Sequence, residues 1–130
     1  MEILKVRSSR REELVDITSE VSERIHLMGV KEGLCTLYVQ HTTAGLTINE
    51  NADPDVRRDI LVALRKLVPE RGMDFKHMEG NSDAHVKTSL FGSSLCIPVA
   101  DGRLLLGRWQ GIYLCDFDGP RERKVILMVR

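Results

Sequence analysis

The sequence lacks an excess of charge of either sign, because its 19 Lys and Arg residues balance its 19 Asp and Glu residues. A chain without net charge has no long-range field to attract nucleic acid or an acidic membrane surface. No apolar run approaches the roughly 20 residues that cross a bilayer, and the N-terminus lacks the apolar region of a signal peptide. We therefore expect a cytoplasmic protein that binds neither nucleic acid nor a membrane.

Cysteine and aromatic residues are also scarce. Cys35, Cys96 and Cys115 are far apart and form no CxxC pair, which argues against a zinc ribbon or a thioredoxin motif. Each stands in an apolar stretch, so we expect three buried thiols in a reducing compartment. Aromatic residues make up only 5% of the chain, so the core must consist mainly of Leu, Val and Ile. Serine-hydrolase, Walker A and GxGxxG patterns are absent.

The length of 130 residues suits a single domain covering 1–130. Apolar periodicity and turn signals predict about seven strands and three helices. The strands are expected at 2–8, 13–17, 33–41, 44–50, 94–99, 104–106, 112–117 and 125–129, where the second extends or pairs with the first. The helices are expected at 18–28, 54–68 and 84–91, the last capped by Asp83. This pattern predicts an α+β domain dominated by antiparallel sheet.

Two polar residues end apolar strand faces. His41 follows Cys35, Leu37 and Val39 on the inward face of one predicted strand, and Glu50 ends the inward face of the next. An imidazole in this position is either a hydrogen-bonded structural histidine or a site group at the edge of the core. The presence of Glu50 at a neighbouring strand end keeps both interpretations open.

A second polar stretch runs from His77 to His85, across a turn rich in Gly, Asn and Ser. The turn leads into a predicted helix, whose free backbone N–H groups suit a phosphate or carboxylate. The alternative is a plain capped turn in which Asn81 and Asp83 serve turn geometry alone. Together with His41, the two histidines could hold a divalent metal, usually zinc, if the fold brings all three together. The fourth histidine, His26, is expected on the surface of a helix.

A third stretch places Trp109 and Gln110 between two glycines. The indole could stack on a heterocycle while Gln110 hydrogen-bonds its edge, or Trp109 could be a core residue. Arg121 lies in a following loop, where it could bind phosphate or simply belong to a turn.

Together these stretches resemble the YjbQ-type proteins, the secondary thiamine-phosphate synthase family. The matching segments are 41–54, 77–85 and 107–111. The resemblance implies a mainly antiparallel β-sandwich or pseudobarrel with about three helices packed outside, assembled as a homotrimer. It also implies a pocket in which His41, His77 and His85 bind a divalent metal, zinc in the first place, with magnesium as the ion that would accompany a diphosphate substrate.

The activity implied by the resemblance joins a pyrimidine diphosphate to a thiazole phosphate and releases pyrophosphate. The partner is thus a small phosphorylated metabolite, whose leaving group a cation would neutralise. In this interpretation Glu50 and Asp83 act as general base or orient the metal ligands. Asn49, Asn81 and Arg121 would bind polar substrate groups. Trp109 and Gln110 would form the wall of the pocket. This sequence departs from the family pattern at one position in the same segment, where Arg108 replaces the small Thr that the family usually has.

Two alternatives remain at this point. The chain could be a non-catalytic protein that binds a metabolite or a metal. It could also be a phosphohydrolase that uses a metal-bound hydroxide at the same three histidines.

Overall fold

The computed structural model describes all residues from Met1 to Arg130. The chain forms eight strands and three helices. In chain order they are β1 (Glu2–Arg7), β2 (Glu13–Asp16), α1 (Thr18–Leu27), β3 (Gly33–Tyr38), β4 (Ala44–Glu50), α2 (Pro54–Leu67), α3 (Ser82–Phe91), β5 (Ser94–Ala100), β6 (Arg103–Leu104), β7 (Gln110–Asp116) and β8 (Glu122–Val129).

The strands make two antiparallel sheets. Sheet A has five strands in the order β1-β8-β3-β5-β6, and sheet B has three in the order β2-β7-β4. The chain leaves sheet A after β1 and enters sheet B at β2, which pairs with β7 and not with β1. The two sheets curl around one core, which confirms the predicted α+β fold with an antiparallel pseudobarrel.

Strand alternation builds the main core between the sheets. Leu37 and Leu127 face inward from sheet A, and Leu46 and Leu114 face them from sheet B, all without solvent exposure. Helix α1 covers one side of this core with Val21 and Ile25. Each of these side chains contributes about 1.5–3 kcal/mol by leaving water, so the two sheets are held together mainly by apolar burial.

The other face of sheet B is covered by α2 and α3. Tyr113, Cys115 and Phe117 alternate with the core residues of β7 and pack against Leu61 of α2 and Ala84 of α3. Helix α2 begins as its sequence predicts, since Asp53 accepts a hydrogen bond from the backbone N–H of Asp55 at 2.9 Å and Pro54 opens the helix.

Gly45 brings α3 close to sheet B. A Cβ atom on this residue would lie 2.6 Å from the carbonyl oxygen of Gly92 at the end of α3. That oxygen also accepts the backbone N–H of Leu46 at 3.1 Å. The absence of a side chain at position 45 therefore fixes the distance between the helix and the strand, and with it the position of the residues that α3 carries.

The structure corrects several boundaries. The strand expected to reach His41 ends at Tyr38, and the helix expected at 84 begins at Ser82 after Asn81. Trp109 is more than half exposed and belongs to no core. Cys35 and Cys115 are buried as expected, and burial raises the pKa of the Cys35 thiol to about 11, but Cys96 is exposed. None of the three helices combines the length and apolar character needed to cross a bilayer.

Candidate functional site

The site lies where three connections meet beside α3: the segment after β3, the loop before α3 and the loop between β7 and β8. Two cavities of about 530 Å³ and 260 Å³ share Thr42 and His85 as lining residues, and no hydrophobic residue lines either of them. We call this joined space the polar cleft. Its principal residues are His41, Thr42, His77, Asn81, His85, Thr88 and Arg121.

Another cavity, of about 300 Å³, lies between β1, β2 and α1. It mixes apolar side chains with charges of both signs, such as Arg7 and Glu20, and contains none of the predicted site residues. The polar cleft contains the three predicted metal ligands together with Asn81 and Arg121, and is therefore the candidate site.

A buried carboxylate supports one side of the cleft. Asp116 is fully buried and accepts two hydrogen bonds from the guanidinium of Arg123, at 3.1 and 2.8 Å, and one from the hydroxyl of Ser8 at 2.6 Å. It also accepts the backbone N–H of Asp118 at 3.0 Å, while Arg123 donates to the hydroxyl of Thr43 at 2.9 Å. One ion pair thus holds the segment after β3 and the β7–β8 loop in place.

The same hydrogen bonds set the charge of Asp116. Burial alone raises the pKa of a carboxyl group, because the charged form loses its hydration. At Asp116 the hydrogen bonds from Arg123, Ser8 and Asp118 outweigh burial and hold the pKa below its usual range. Asp116 is therefore a charged anchor beneath the cleft.

His41 is held by the backbone of β8. Its Nε2 accepts the N–H of Lys124 at 3.0 Å, which leaves the proton of the neutral ring on Nδ1. Burial and the nearby charge of Arg123 lower the pKa of His41 below its ordinary value. His41 is accordingly a neutral ring whose free nitrogen is a hydrogen-bond donor.

The three predicted metal ligands do line the polar cleft, but they do not form a metal site. His77 and His85 meet edge to face with ring centroids 5.4 Å apart, and His85 shares a cavity with His41. However, no group of three His, Cys, Asp or Glu residues is placed to hold a metal ion. Because the Nε2 lone pair of His41 is already engaged, the residues present do not fit a three-histidine centre. The prediction of a zinc-binding, metal-binding protein is wrong for this structure.

Two cleft residues carry buried polar atoms without a partner. Asn81 and Thr88 are each 8% exposed, and neither Oδ1 of Asn81 nor Oγ1 of Thr88 makes a hydrogen bond. An unsatisfied buried polar group costs about 1–3 kcal/mol. Buried groups of this kind are rare in folded proteins, and a ligand that supplies the missing bond is one explanation.

Asp83 does not cap α3 as predicted, since Asn81 occupies the residue before the helix. The carboxylate of Asp83 is fully buried and accepts hydrogen bonds from Arg11, at 3.1 and 3.0 Å, and from Lys87 at 2.9 Å. Lys87 also donates to Glu12 at 2.7 Å. These bonds outweigh burial and hold the pKa of Asp83 below its usual range. Asp83 therefore ties the β1–β2 connection to α3, which leaves it no role as a general base.

The other predicted site residues lie at the far end of sheet B. Ala44 and Asp116 pair at the cleft end of β4 and β7, whereas Glu50 pairs with Gln110 at the other. The two ends are six residue steps apart along each strand, a distance of about 20 Å. Within one chain, Glu50 and Gln110 do not meet the histidines, and neither do their neighbours Asn49 and Trp109.

These distant residues make local contacts. Glu50 Oε2 accepts the backbone N–H of Asp53 at 3.3 Å, and Asn49 Oδ1 accepts that of Glu50 at 2.7 Å. Gln110 accepts from Gly107 at 2.7 Å, and the guanidinium of Arg108 lies 4.8 Å from the centre of the Trp109 ring. They shape the start of α2 and the turn before β7.

Sequence reasoning missed Thr88 and Asp118. Thr88 lies three residues after His85, so both fall on one helix face, and this spacing was a usable signal. Asp118 contacts Asn81 because the β7–β8 loop folds over the start of α3. The sequence gives no signal that predicts this contact, because Asn81 and Asp118 are 37 positions apart.

Fold and site define a small α+β protein with a polar, ligand-sized cleft beside one helix. A family model described as "UPF0047 protein YjbQ-like" matches residues 2–130. The chain belongs to the YjbQ/UPF0047 family, as its sequence motifs indicated.

Relatives of similar sequence cover the chain almost completely. A UPF0047 protein from Methanocaldococcus jannaschii is 50% identical over 96% of this chain and 90% of its own length. The UPF0047 protein YugU of Bacillus subtilis is 48% identical over 95% of this chain and 93% of its own. A crystal structure of an uncharacterised family member from Clostridium acetobutylicum, 50% identical, superposes with a TM-score of 0.96 and covers 100% of both chains.

These relatives correct one expectation. The family is one of unknown function, and it is not a family of thiamine-phosphate synthases as the resemblance implied. The synthase reaction is untested for this chain and stays a prediction. The phosphohydrolase alternative required a metal-bound hydroxide, for which the cleft offers no ligand group.

Proposed function

We propose that this protein binds a small phosphorylated metabolite in the polar cleft. The observation that carries the proposal is the pair of buried, unpartnered polar atoms on Asn81 and Thr88, in cavities lined only by non-hydrophobic residues. A cleft of this composition favours a polar, charged molecule over an apolar one. The two cavities, of about 530 and 260 Å³, are large enough for a small metabolite.

The groups of the cleft that suit an anion are one guanidinium and the start of α3. Arg121 supplies the guanidinium, which lies 3.3 Å from the Asp118 carboxylate, and Glu79 adds a second carboxylate to the smaller cavity. His85 and Thr42 supply polar groups in both cavities. Helix α3 begins at this place, and the N-terminus of a helix attracts negative charge. The carboxylate of Asp83 does not oppose the anion, because Arg11 and Lys87 neutralise it.

Binding alone is the function that this geometry supports best. The metabolite-binding alternative needs no metal and no general base, and the cleft residues provide hydrogen bonds and positive charge. The predicted cytoplasmic location accords with three free cysteines. Both substrates of the synthase reaction are phosphorylated heterocycles, so they belong in a ligand panel.

Isothermal titration calorimetry tests the proposal with inorganic phosphate, pyrophosphate and phosphorylated pyrimidine and thiazole compounds. We expect at least one organic phosphate to bind, and Arg121→Ala to weaken it about tenfold, since a hydrogen bond to a charged group contributes about 1.5–3 kcal/mol. Arg108→Ala is the matched control, because Arg108 stacks on Trp109 away from the cleft. Absence of binding, or equal loss in both variants, would overturn the proposal.

We also propose that the chain self-associates through the outer face of sheet A, as a trimer. Ile3 pairs with Ile126 and Ile126 with Tyr38, which forms an apolar row across β1, β8 and β3. Ile3 and Tyr38 are each 45% exposed, and Leu34 and Met128 extend the row. Contiguous exposed apolar surface of this kind is typical of interaction sites. The trimeric state itself comes from the family resemblance.

A further inference from the structure

Asn81 is oriented away from the helix that it precedes. Asparagine before a helix usually accepts a backbone N–H of the first turn through its side-chain oxygen, but the side chain of Asn81 makes no such bond. Its Nδ2 instead donates to Oδ2 of Asp118 at 2.8 Å. Because a carboxylate only accepts hydrogen bonds, this contact fixes which end of the amide faces Asp118. The atom left without a partner is therefore the acceptor, Oδ1.

A dianionic phosphate group cannot satisfy this acceptor. The phosphate of an organic ester is mainly a dianion above its second pKa of about 6, and in that form its oxygen atoms only accept hydrogen bonds. Arg121 and the histidines of the same cavity can bind such a group, whereas Oδ1 of Asn81 would only repel it. The cavity thus contains two chemically opposite requirements, one for an anion and one for a donor.

We propose that the natural ligand carries an N–H or O–H donor close to its phosphate, and that Oδ1 of Asn81 accepts it. The inference rests on the proposed function and narrows its substrate class to phosphate esters with an adjacent ammonium, amide, ring N–H or hydroxyl group. Asp118 is the positioning residue, since it holds the amide in the accepting orientation. It also contacts Arg121 at 3.3 Å, which places the donor-binding and anion-binding groups next to each other.

A matched pair of ligands tests the inference. 2-Aminoethyl phosphate and propyl phosphate have the same number of heavy atoms and differ by one ammonium group in place of a methyl group. 2-Hydroxyethyl phosphate adds a neutral donor of the same length. By calorimetry we expect the wild-type protein to bind both donor ligands at least tenfold more tightly than propyl phosphate, and Asn81→Ala to reduce that preference to about twofold or less.

Two further variants provide a second test of the amide orientation and a control. Asp118→Asn removes the carboxylate that orients the amide and should weaken the preference even if Asn81→Ala does not fold. Asn49→Ala is the matched control and should leave the preference unchanged, because Asn49 lies at the far end of sheet B from the cleft.

The possible failures are distinguishable. If no phosphate ester binds, the proposed function fails and this inference fails with it. If propyl phosphate binds the wild-type protein as tightly as the donor ligands, or if the preference survives in both Asn81→Ala and Asp118→Asn, the proposed function stands and the inference is wrong.

Discussion

The ring nitrogen Nε2 of His41 accepts the backbone N–H of Lys124 at 3.0 Å. This contact joins the segment after β3 to β8, an interior strand of sheet A, and determines what His41 can do in the cleft. A neutral imidazole with its lone pair engaged donates through the other nitrogen. His41 is therefore suited to an anionic ligand, and it cannot coordinate a metal through Nε2 without breaking that bond.

Metal removal should leave the protein intact. Because no group of three potential ligands is placed to hold an ion, we expect neither a chelator nor added zinc to shift the melting temperature by more than about 1 °C. Differential scanning calorimetry of untagged protein, with and without EDTA, makes the measurement. If a chelator lowers the melting temperature by several degrees and zinc reverses the change, the protein does bind a metal and this prediction is wrong.

Acidification should weaken the fold through His41. Its folded pKa lies below the unfolded value of about 6.5, so the unfolded state takes up protons first. The neutral ring therefore contributes stability above about pH 6.5, and this contribution is lost as pH falls through the folded pKa. Denaturant unfolding of His41→Gln should show a difference from wild type that shrinks between about pH 7 and pH 5.

The control for this measurement is His26→Gln, at an exposed position of α1. Its unfolding free energy should follow the pH dependence of the wild-type protein. A pH-independent difference for His41→Gln would show that the ring acts only through packing.

Asp83→Asn should destabilise the protein by about 3 kcal/mol at neutral pH. The substitution leaves Lys87, which is 1% exposed, with a single carboxylate partner, and removing one member of a buried ion pair is costly. The hydrogen bonds from Arg11 and Lys87 outweigh burial and hold the folded pKa of Asp83 below its usual range, so this stability is present above the unfolded pKa and is lost as pH falls through the folded one.

Urea unfolding at about pH 7 and pH 3 checks that prediction. Asp74→Asn, at a surface position paired only with Lys76, should leave the stability unchanged. An Asp83→Asn protein as stable as wild type at neutral pH would mean that the network with Arg11 and Lys87 does not hold α3 in place.

Self-association should depend on the outer face of sheet A. Tyr38→Glu places a charge in the apolar row next to Ile126 and should convert trimers to monomers at micromolar concentration, as seen by multi-angle light scattering. Leu67→Glu is the control, since Leu67 is 72% exposed on α2, far from sheet A. A wild-type protein that already runs as a monomer of 14.7 kDa would contradict the proposed assembly.

Local sequence signals predicted most of the fold. The alternating core residues of β3 and the start of α2 at Pro54 lie where the pattern placed them. These features depend on residues within a few positions of one another, so periodicity and turn chemistry suffice to find them.

The site was harder to predict, because residues that are close in the sequence lie far apart when they stand at opposite ends of one strand. His41 and Glu50 are nine positions apart in the sequence, yet β4 carries them to opposite ends of sheet B. Conversely, Arg11 reaches Asp83 across 72 positions, and that contact converts a predicted helix cap into a buried ion pair. Composition and spacing identified the residue types of the site, but only the three-dimensional pairing shows which of them meet.

The most direct test of the account is a titration with 2-aminoethyl phosphate followed by ¹H–¹⁵N NMR. Saturable shifts are expected at the backbone amides of Thr42, Asn81 and His85, and none at the turn from 107 to 111, where Trp109 and Gln110 lie. Such a result would place a phosphorylated ligand in the polar cleft. Shifts confined to the Trp109 turn, or no saturable shifts at all, would contradict the claim that the cleft is the binding site.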